Sequence, residues 1–243
     1  MRKFGLIGKN ISYSFSESFF TKKFKIENIL NSSYQNFDLA KIEDFKTVTK
    51  DSTIKGYNVT IPYKETIIPL LDGLNSKAAQ IGAVNTIKIT KHGKLKGFNT
   101  DYYGFEKSLK PLLESHHKKA LILGTGGASK AVSYALERLK IPYILVSRIA
   151  KNNIIGYEDI TREVLSKYHI IINCTPLGTF PNTESCPNIP YGSINTQHLF
   201  YDLIYNPSET EFLKRGKKQG AKTKNGLEML ELQAEKSWKI WNK

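Results

Sequence analysis

Ala120-Leu121-Ile122-Leu123-Gly124-Thr125-Gly126-Gly127-Ala128-Ser129-Lys130 runs from a short apolar stretch, through a glycine-rich turn, into a segment with helical spacing. Val132, Ala135, Leu136 and Leu139 continue that spacing, so Ala120–Leu123 is predicted as a strand and Ser129–Leu139 as a helix. In this context the glycines do more than turn the chain. Gly124, Gly126, Gly127 and Ala128 leave the backbone open to a pyrophosphate, whose charge is stabilised by free N–H groups and by the positive end of the helix dipole. The third glycine of the usual fingerprint is replaced by Ser129. Tyr143–Val146 supplies the next strand and completes a βαβ unit of Rossmann type.

At the end of that next strand an NAD-binding chain places Asp or Glu against the ribose 2′-hydroxyl. Here the residues are Ser147-Arg148-Ile149-Ala150-Lys151. Arg148 can fork onto a 2′-phosphate and Lys151 can add a second positive charge, which points to NADP. Taken alone, Arg148 has the lesser alternative of an ordinary surface arginine; the glycine loop upstream gives it meaning.

Outward from this unit, His169–Cys174, Leu199–Leu203 and a short Ala221-Lys222-Thr223 read as later strands, and Leu227–Trp241 reads as a C-terminal helix. Toward the N-terminus, Lys3–Ile7, Asn36–Leu39 and Gly56–Val59 read as strands and Ser18–Phe24 as a helix. Pro62 is placed to open a helix reaching Leu70, because its missing N–H costs nothing in a first turn. Ala83–Ile89 and Lys94–Phe98 flank His92-Gly93 as a β-hairpin, and Asn99 or Thr100 caps a helix over Tyr103–Leu113. Alternating strands and helices imply an α/β protein with a mainly parallel sheet.

The 243 residues carry 36 Lys and Arg against 22 Asp and Glu, a net charge of +14. Such an excess attracts nucleic acid, membrane surfaces or small anions. The basic cluster Lys214, Arg215, Lys217, Lys218 shares an amphipathic segment with Phe212 and Leu213 and reads as a solvated helix face. No basic stripe with interleaved aromatics accompanies it, so small anions fit best. Neither a signal-type apolar run nor a membrane span is present, and a soluble, cytoplasmic protein is expected. Cys174 and Cys186 are expected to stay reduced. The five histidines are scattered without ligand-like spacing and read as structural or solvated, so no metal is expected.

Two polar motifs, Asn58-Val59-Thr60-Ile61-Pro62-Tyr63-Lys64 and Gly97-Phe98-Asn99-Thr100-Asp101, carry the remaining chemistry. Lys64 falls in the first turn of the helix predicted after Pro62, where the dipole disfavours a positive charge; Asp101 falls in a first turn where a negative charge is favoured. Alone, each is a helix-end charge. With Ser14-Phe15-Ser16, Gly82-Ala83-Val84-Asn85-Thr86, the glycine loop and the stretch from Gly226 to Gln233, these motifs resemble the shikimate dehydrogenases in kind, order and spacing over nearly the whole chain.

That resemblance implies two domains: residues 1–101, joined by the C-terminal helix 227–243, binding substrate, and residues 102–226 binding NADP. It implies Lys64 and Asp101 as the catalytic pair. Ser14, Ser16, Thr60, Asn85 and Gln233 would contact the substrate, the two serines binding a carboxylate and the two amides ring hydroxyls, and Tyr205, from Tyr201-Asp202-Leu203-Ile204-Tyr205-Asn206-Pro207, would reach it too. Ser147, Arg148 and Lys151 would hold the adenosine end, and Gly226 and Met229 would lie beside the nicotinamide. The chain departs from the family pattern at Asn10, Tyr13 and Glu17, at Ser147 and Ile149, at Cys174 and at Glu228. The activity implied is reversible, NADPH-dependent reduction of 3-dehydroshikimate to shikimate by a monomer or homodimer. An NAD-using quinate/shikimate dehydrogenase and a non-catalytic NADP-binding regulator are the rival readings.

Overall fold

The computed structural model describes residues 1–11 and 14–243. They divide into two units, one of residues 1–100 and 233–243 and one of residues 101–232. The chain passes between them after Thr100 and again inside its last helix.

The first unit holds β1 (Arg2–Gly8), α1 (Phe15–Ile26), β2 (Ser32–Asp38), α2 (Phe45–Val48), β3 (Ile54–Val59), β4 (Gly73–Leu74), α3 (Ser76–Ile81), β5 (Thr86–Ile89) and β6 (Leu95–Phe98). Its strands lie in the order β2-β1-β3-β5-β6-β4. β1 runs parallel to β2 and β3, but the β5–β6 hairpin, turning at Gly93 with φ +74, joins β3 antiparallel, so this sheet is mixed. Phe4, Phe20, Phe24, Tyr34 and Trp241 pack on one side; Ile7, Phe45, Tyr57, Ile67 and Ile87 form a second cluster. Trp241, stacked on Phe4 at 4.8 Å, donates its indole N–H to the Ile87 carbonyl at 3.0 Å. Each such buried aromatic contributes about 2 to 3 kcal/mol.

The helix expected over 62–70 is not formed. The Lys64 carbonyl, which a helix would direct to the N–H of Ile68, accepts instead from Val84 N–H at 2.7 Å. Pro69 has no N–H to give, and the segment resolves into turns and a 3-10 helix at Ile68–Leu70. The helix dipole expected to act on Lys64 is therefore absent.

The second unit holds α4 (Asp101–Leu109), β7 (Ala120–Leu123), α5 (Gly127–Arg138), β8 (Tyr143–Val146), β9 (Ile154–Ile155), α6 (Arg162–Leu165), β10 (Ile170–Asn173), β11 (Leu199–Asp202), α7 (Glu211–Lys218) and β12 (Lys222–Lys224). All neighbours in the order β12-β11-β10-β7-β8-β9 pair in parallel. The chain winds from β7 to β8 in one direction and returns to place β10 on the other side, which makes the β7/β10 boundary the switch point where a crevice opens. On α7, Phe212 and Leu213 are buried while Arg215 and Lys217 reach Glu211 and Glu209 at 2.7 and 2.9 Å, so the basic cluster is a solvated, acid-paired face. The last helix, α8 (Leu227–Trp241), begins in this unit.

Four of the five histidines converge. His116 and His117 precede β7, His169 precedes β10 and His198 precedes β11, with ring centroids 4.2 to 5.8 Å apart from one to the next. His117 and His198 are buried, so of the two readings, structural or solvated, these two take the structural one. Burial, followed by repulsion from neighbouring imidazoles, pushes the His198 pKa below its ordinary value, and the same causes lower that of His117. Glu114 lies 4.0 Å from His116 and also forms an ion pair with Lys222 at 3.7 Å; the Leu165 and Gln197 carbonyls and Asn195 face the rings. With their pKa lowered in the fold, both rings bind protons more readily when unfolded, so stability present above about pH 6.5, the ordinary histidine value, is lost as the pH falls. Replacing His117 and His198 together by Asn should flatten the loss of stability between pH 7.5 and 5, measured by urea unfolding of the full chain. An unchanged slope would contradict this.

Candidate active site

In the first unit the site residues grow from strand ends and helix starts. Ser14 is the N-cap of α1, its hydroxyl accepting from Ser16 N–H at 3.1 Å, so capping falls to Ser14 and not to Ser16. Ser16 is buried in the first turn. Of the family departures nearby, Asn10 takes φ +57, a left-handed conformation that asparagine tolerates, and donates its N–H to Asp38; Glu17 accepts from Asn36 at 2.6 Å; Tyr13 lies outside the described residues. Thr60 follows β3, its N–H donating to the Ile7 carbonyl at 2.8 Å. Half-buried Lys64 follows one turn later, fixed through its carbonyl on Val84.

Asn85 and Gln233 are brought together. The Asn85 amide donates to Gln233 Oε1 at 3.2 Å and to Thr100 Oγ1 at 2.9 Å, while its oxygen accepts Thr100 N–H at 2.6 Å. Two buried amides joined to a threonine in one unit present the donors and acceptors that a polyhydroxylated ligand needs. Behind them stand Asn58 and Thr86, which the sequence motifs contain without a role of their own, and Tyr34 and Ser237, which sequence reasoning missed. Tyr34 donates to Asn58 Oδ1 at 2.9 Å, and burial raises its hydroxyl pKa well above the ordinary tyrosine value, against a lowering hydrogen bond from Ser16. The one available signal was polar Ser237, four residues after Gln233 and four before Trp241 on one face of α8.

In the second unit Asp101 is the first residue of α4 and is buried. The glycine loop joins β7 to α5 at the switch point. Gly124 has φ +105, which favours glycine, and a Cβ there would sit tightly, 3.1 Å from Thr175 Cγ2. Gly126 differs. It is the N-cap of α5, and a Cβ on it would meet no protein atom within 4 Å, so the fold itself makes no demand for glycine. Close approach of a ligand to the backbone does make that demand. Gly127 and Ala128 open the helix, and the Ser129 hydroxyl, where the third glycine is replaced, donates to the Gly126 carbonyl at 2.6 Å. Thus the loop fits a pyrophosphate.

Ser147, Arg148 and Lys151 follow β8, the neighbour of β7, with Ser147 N–H donating to Ile155 O at 3.0 Å and Lys151 bridging Ile154. Arg148 and Lys151 are exposed and the stretch has no acidic residue, as a 2′-phosphate site requires. Gly226 is explained by packing alone, because a Cβ there would stand 2.1 Å from the Leu203 carbonyl oxygen. Met229 is buried on α8 and Tyr205 lies half-buried in the loop after β11. Burial drives the Cys174 thiol pKa upward, which fits packing and not nucleophilic use, and both cysteines are free. Asp202, at the end of β11, accepts from Asn173, Ile204 N–H and Thr210; burial raises its pKa to about 6. Among the described residues no group of His, Cys, Asp or Glu is arranged to hold a metal ion, and no helix is long and apolar enough to cross a membrane.

Residues 6–87 match the shikimate dehydrogenase substrate binding domain. The shikimate dehydrogenase (NADP+) of Methanosphaera stadtmanae is 38% identical over 257 residues, covering 98% of this chain and 90% of that protein. Among solved structures, shikimate dehydrogenase 1 from Peptoclostridium difficile superposes with a TM-score of 0.88 at 39% identity, covering 100% of this chain and 92% of that one. Shikimate 5-dehydrogenase from Thermus thermophilus, solved in complex with NADP(H) and shikimate, gives 0.86 at 28% identity, covering 99% and 93%. With this likeness running through both units, the chain belongs to the shikimate dehydrogenase family.

Proposed function

We propose that this chain is an oxidoreductase that reversibly reduces 3-dehydroshikimate to shikimate with NADPH, a step toward aromatic amino-acid precursors. The observation that carries the reading is full-length likeness to shikimate dehydrogenases (NADP+), joined to a substrate-side amide cluster in one unit and a phosphate loop with Arg148 in the other. Residues 1–101 with the C-terminal helix form the substrate domain, and residues 102–226 the cofactor domain.

NADPH supplies, when bound, a hydride for the carbonyl carbon. Lys64 gives its proton to the carbonyl oxygen, so that no free alkoxide forms, and then regains a proton from solvent. Asp101 holds the Lys64 ammonium and one substrate hydroxyl. Ser14 and Ser16 donate to the substrate carboxylate; Thr60, Asn85, Gln233 and Tyr205 orient the ring. Gly124, Gly126, Gly127 and Ala128 cradle the pyrophosphate, Ser147, Arg148 and Lys151 recognise the phosphorylated ribose, and Gly226 and Met229 flank the nicotinamide. The working unit is a monomer or homodimer in the cytoplasm. Oxidation of shikimate by NADP, followed by nicotinamide absorbance, is the direct test; absence of that reaction would sink the reading.

A further inference from the structure

Ser237 has no role in the chemistry above, yet its hydroxyl meets four polar groups of the first unit. It is fully buried on α8, a polar group on a face that otherwise packs Ala234 and Trp241. Its Oγ donates to the Gln233 carbonyl at 3.0 Å and accepts from Asn58 Nδ2 at 3.0 Å. Thr86 Oγ1 and Thr100 Oγ1 lie 2.7 and 3.1 Å away. Thr86 and Thr100 are also the partners of the Asn85 oxygen, at 3.1 and 3.2 Å, and Thr100 lies 3.2 Å from Gln233 Oε1. A primary amide turned by 180° exchanges its donor for its acceptor, so the network decides which face each amide presents.

We propose that Ser237 is a positioning residue for substrate: through Thr86 and Thr100 its hydroxyl fixes the orientation of the Asn85 and Gln233 amides that meet the substrate's ring hydroxyls. The proposal rests on the functional reading above. An alanine at 237 fits the helix, which favours it over serine, but leaves Asn58, Thr86 and Thr100 short of a partner. Networks of this kind rearrange when one member is lost, and Asn85 and Gln233 are the members that the functional reading sets against substrate.

The test uses the full-length enzyme. Ser237→Ala should raise KM for shikimate about tenfold, the scale of one hydrogen bond lost, while kcat and KM for NADP stay within about twofold of wild type. Combined with Asn85→Ala, the increase should be well below the product of the two single increases, because Ser237 acts through Asn85. An unchanged KM for shikimate, a parallel rise in KM for NADP, or a fully multiplicative pair overturns the proposal by leaving Ser237 only a packing role. Should Ser237→Ala fail to fold, Thr86→Val removes a hydroxyl from the same network while keeping the side-chain shape, and must show the same split. A wild-type enzyme inactive on shikimate overturns both this inference and the functional reading; an active wild type with an indifferent Ser237→Ala overturns this one alone.

Discussion

Lys64→Ala should leave the fold and NADP affinity intact and lower kcat by about 10² to 10⁴-fold, the range for loss of a general acid. The fold is spared because what anchors this position is its carbonyl on Val84 N–H, which any side chain preserves. The loss falls on kcat because the proton is needed only as the alkoxide develops. Asp101→Asn keeps the shape and removes the charge proposed to hold the ammonium, so it should act in the same direction. Residues that work as one unit are grossly non-additive, so the double variant should lose far less than the two single losses multiplied. Single-turnover and steady-state rates of the four proteins check this. Multiplicative losses, or near-normal kcat in Lys64→Ala, would reduce both residues to ordinary charges.

Replacing Ser14 and Ser16 together by Ala should raise KM for shikimate by one to several orders of magnitude, since each hydrogen bond to a carboxylate is worth about 1.5 to 3 kcal/mol. NADP binding should barely change. Ser14 also caps α1, so its loss costs about 1 kcal/mol of stability in addition. Ser16 has no capping duty, so the single Ser16→Ala variant separates the two effects: its KM should rise while the cap at Ser14 is kept. If KM holds in both variants, the serines only shape the start of the helix.

Much of the fold was legible because its signals are local. The switch from an apolar run at Ala120–Leu123 to helical spacing after Gly126 lies within one stretch, and the bounds of α8 follow from its own periodicity. The failures share a non-local cause. The 62–70 segment has helix-like composition, but the Lys64 carbonyl is taken by Val84, twenty residues away in sequence. The histidines look scattered because three separate strand starts bring them together. Ser237 and Gln233 interrupt an apolar pattern on the buried face of α8, and only the amide network explains their burial. For Lys64 and Asp101, local sequence offers two helix-end charges; their catalytic assignment comes through the family.

The most direct test follows absorbance at the nicotinamide band with shikimate or quinate and with NADP or NAD, in all four combinations, for wild type and Arg148→Ala. The predicted result is the highest kcat/KM for shikimate with NADP. In Arg148→Ala the lead of NADP over NAD should narrow by roughly tenfold, since a charge-assisted phosphate contact is lost. A wild type that prefers NAD or quinate, or that turns over neither acid, would contradict the account.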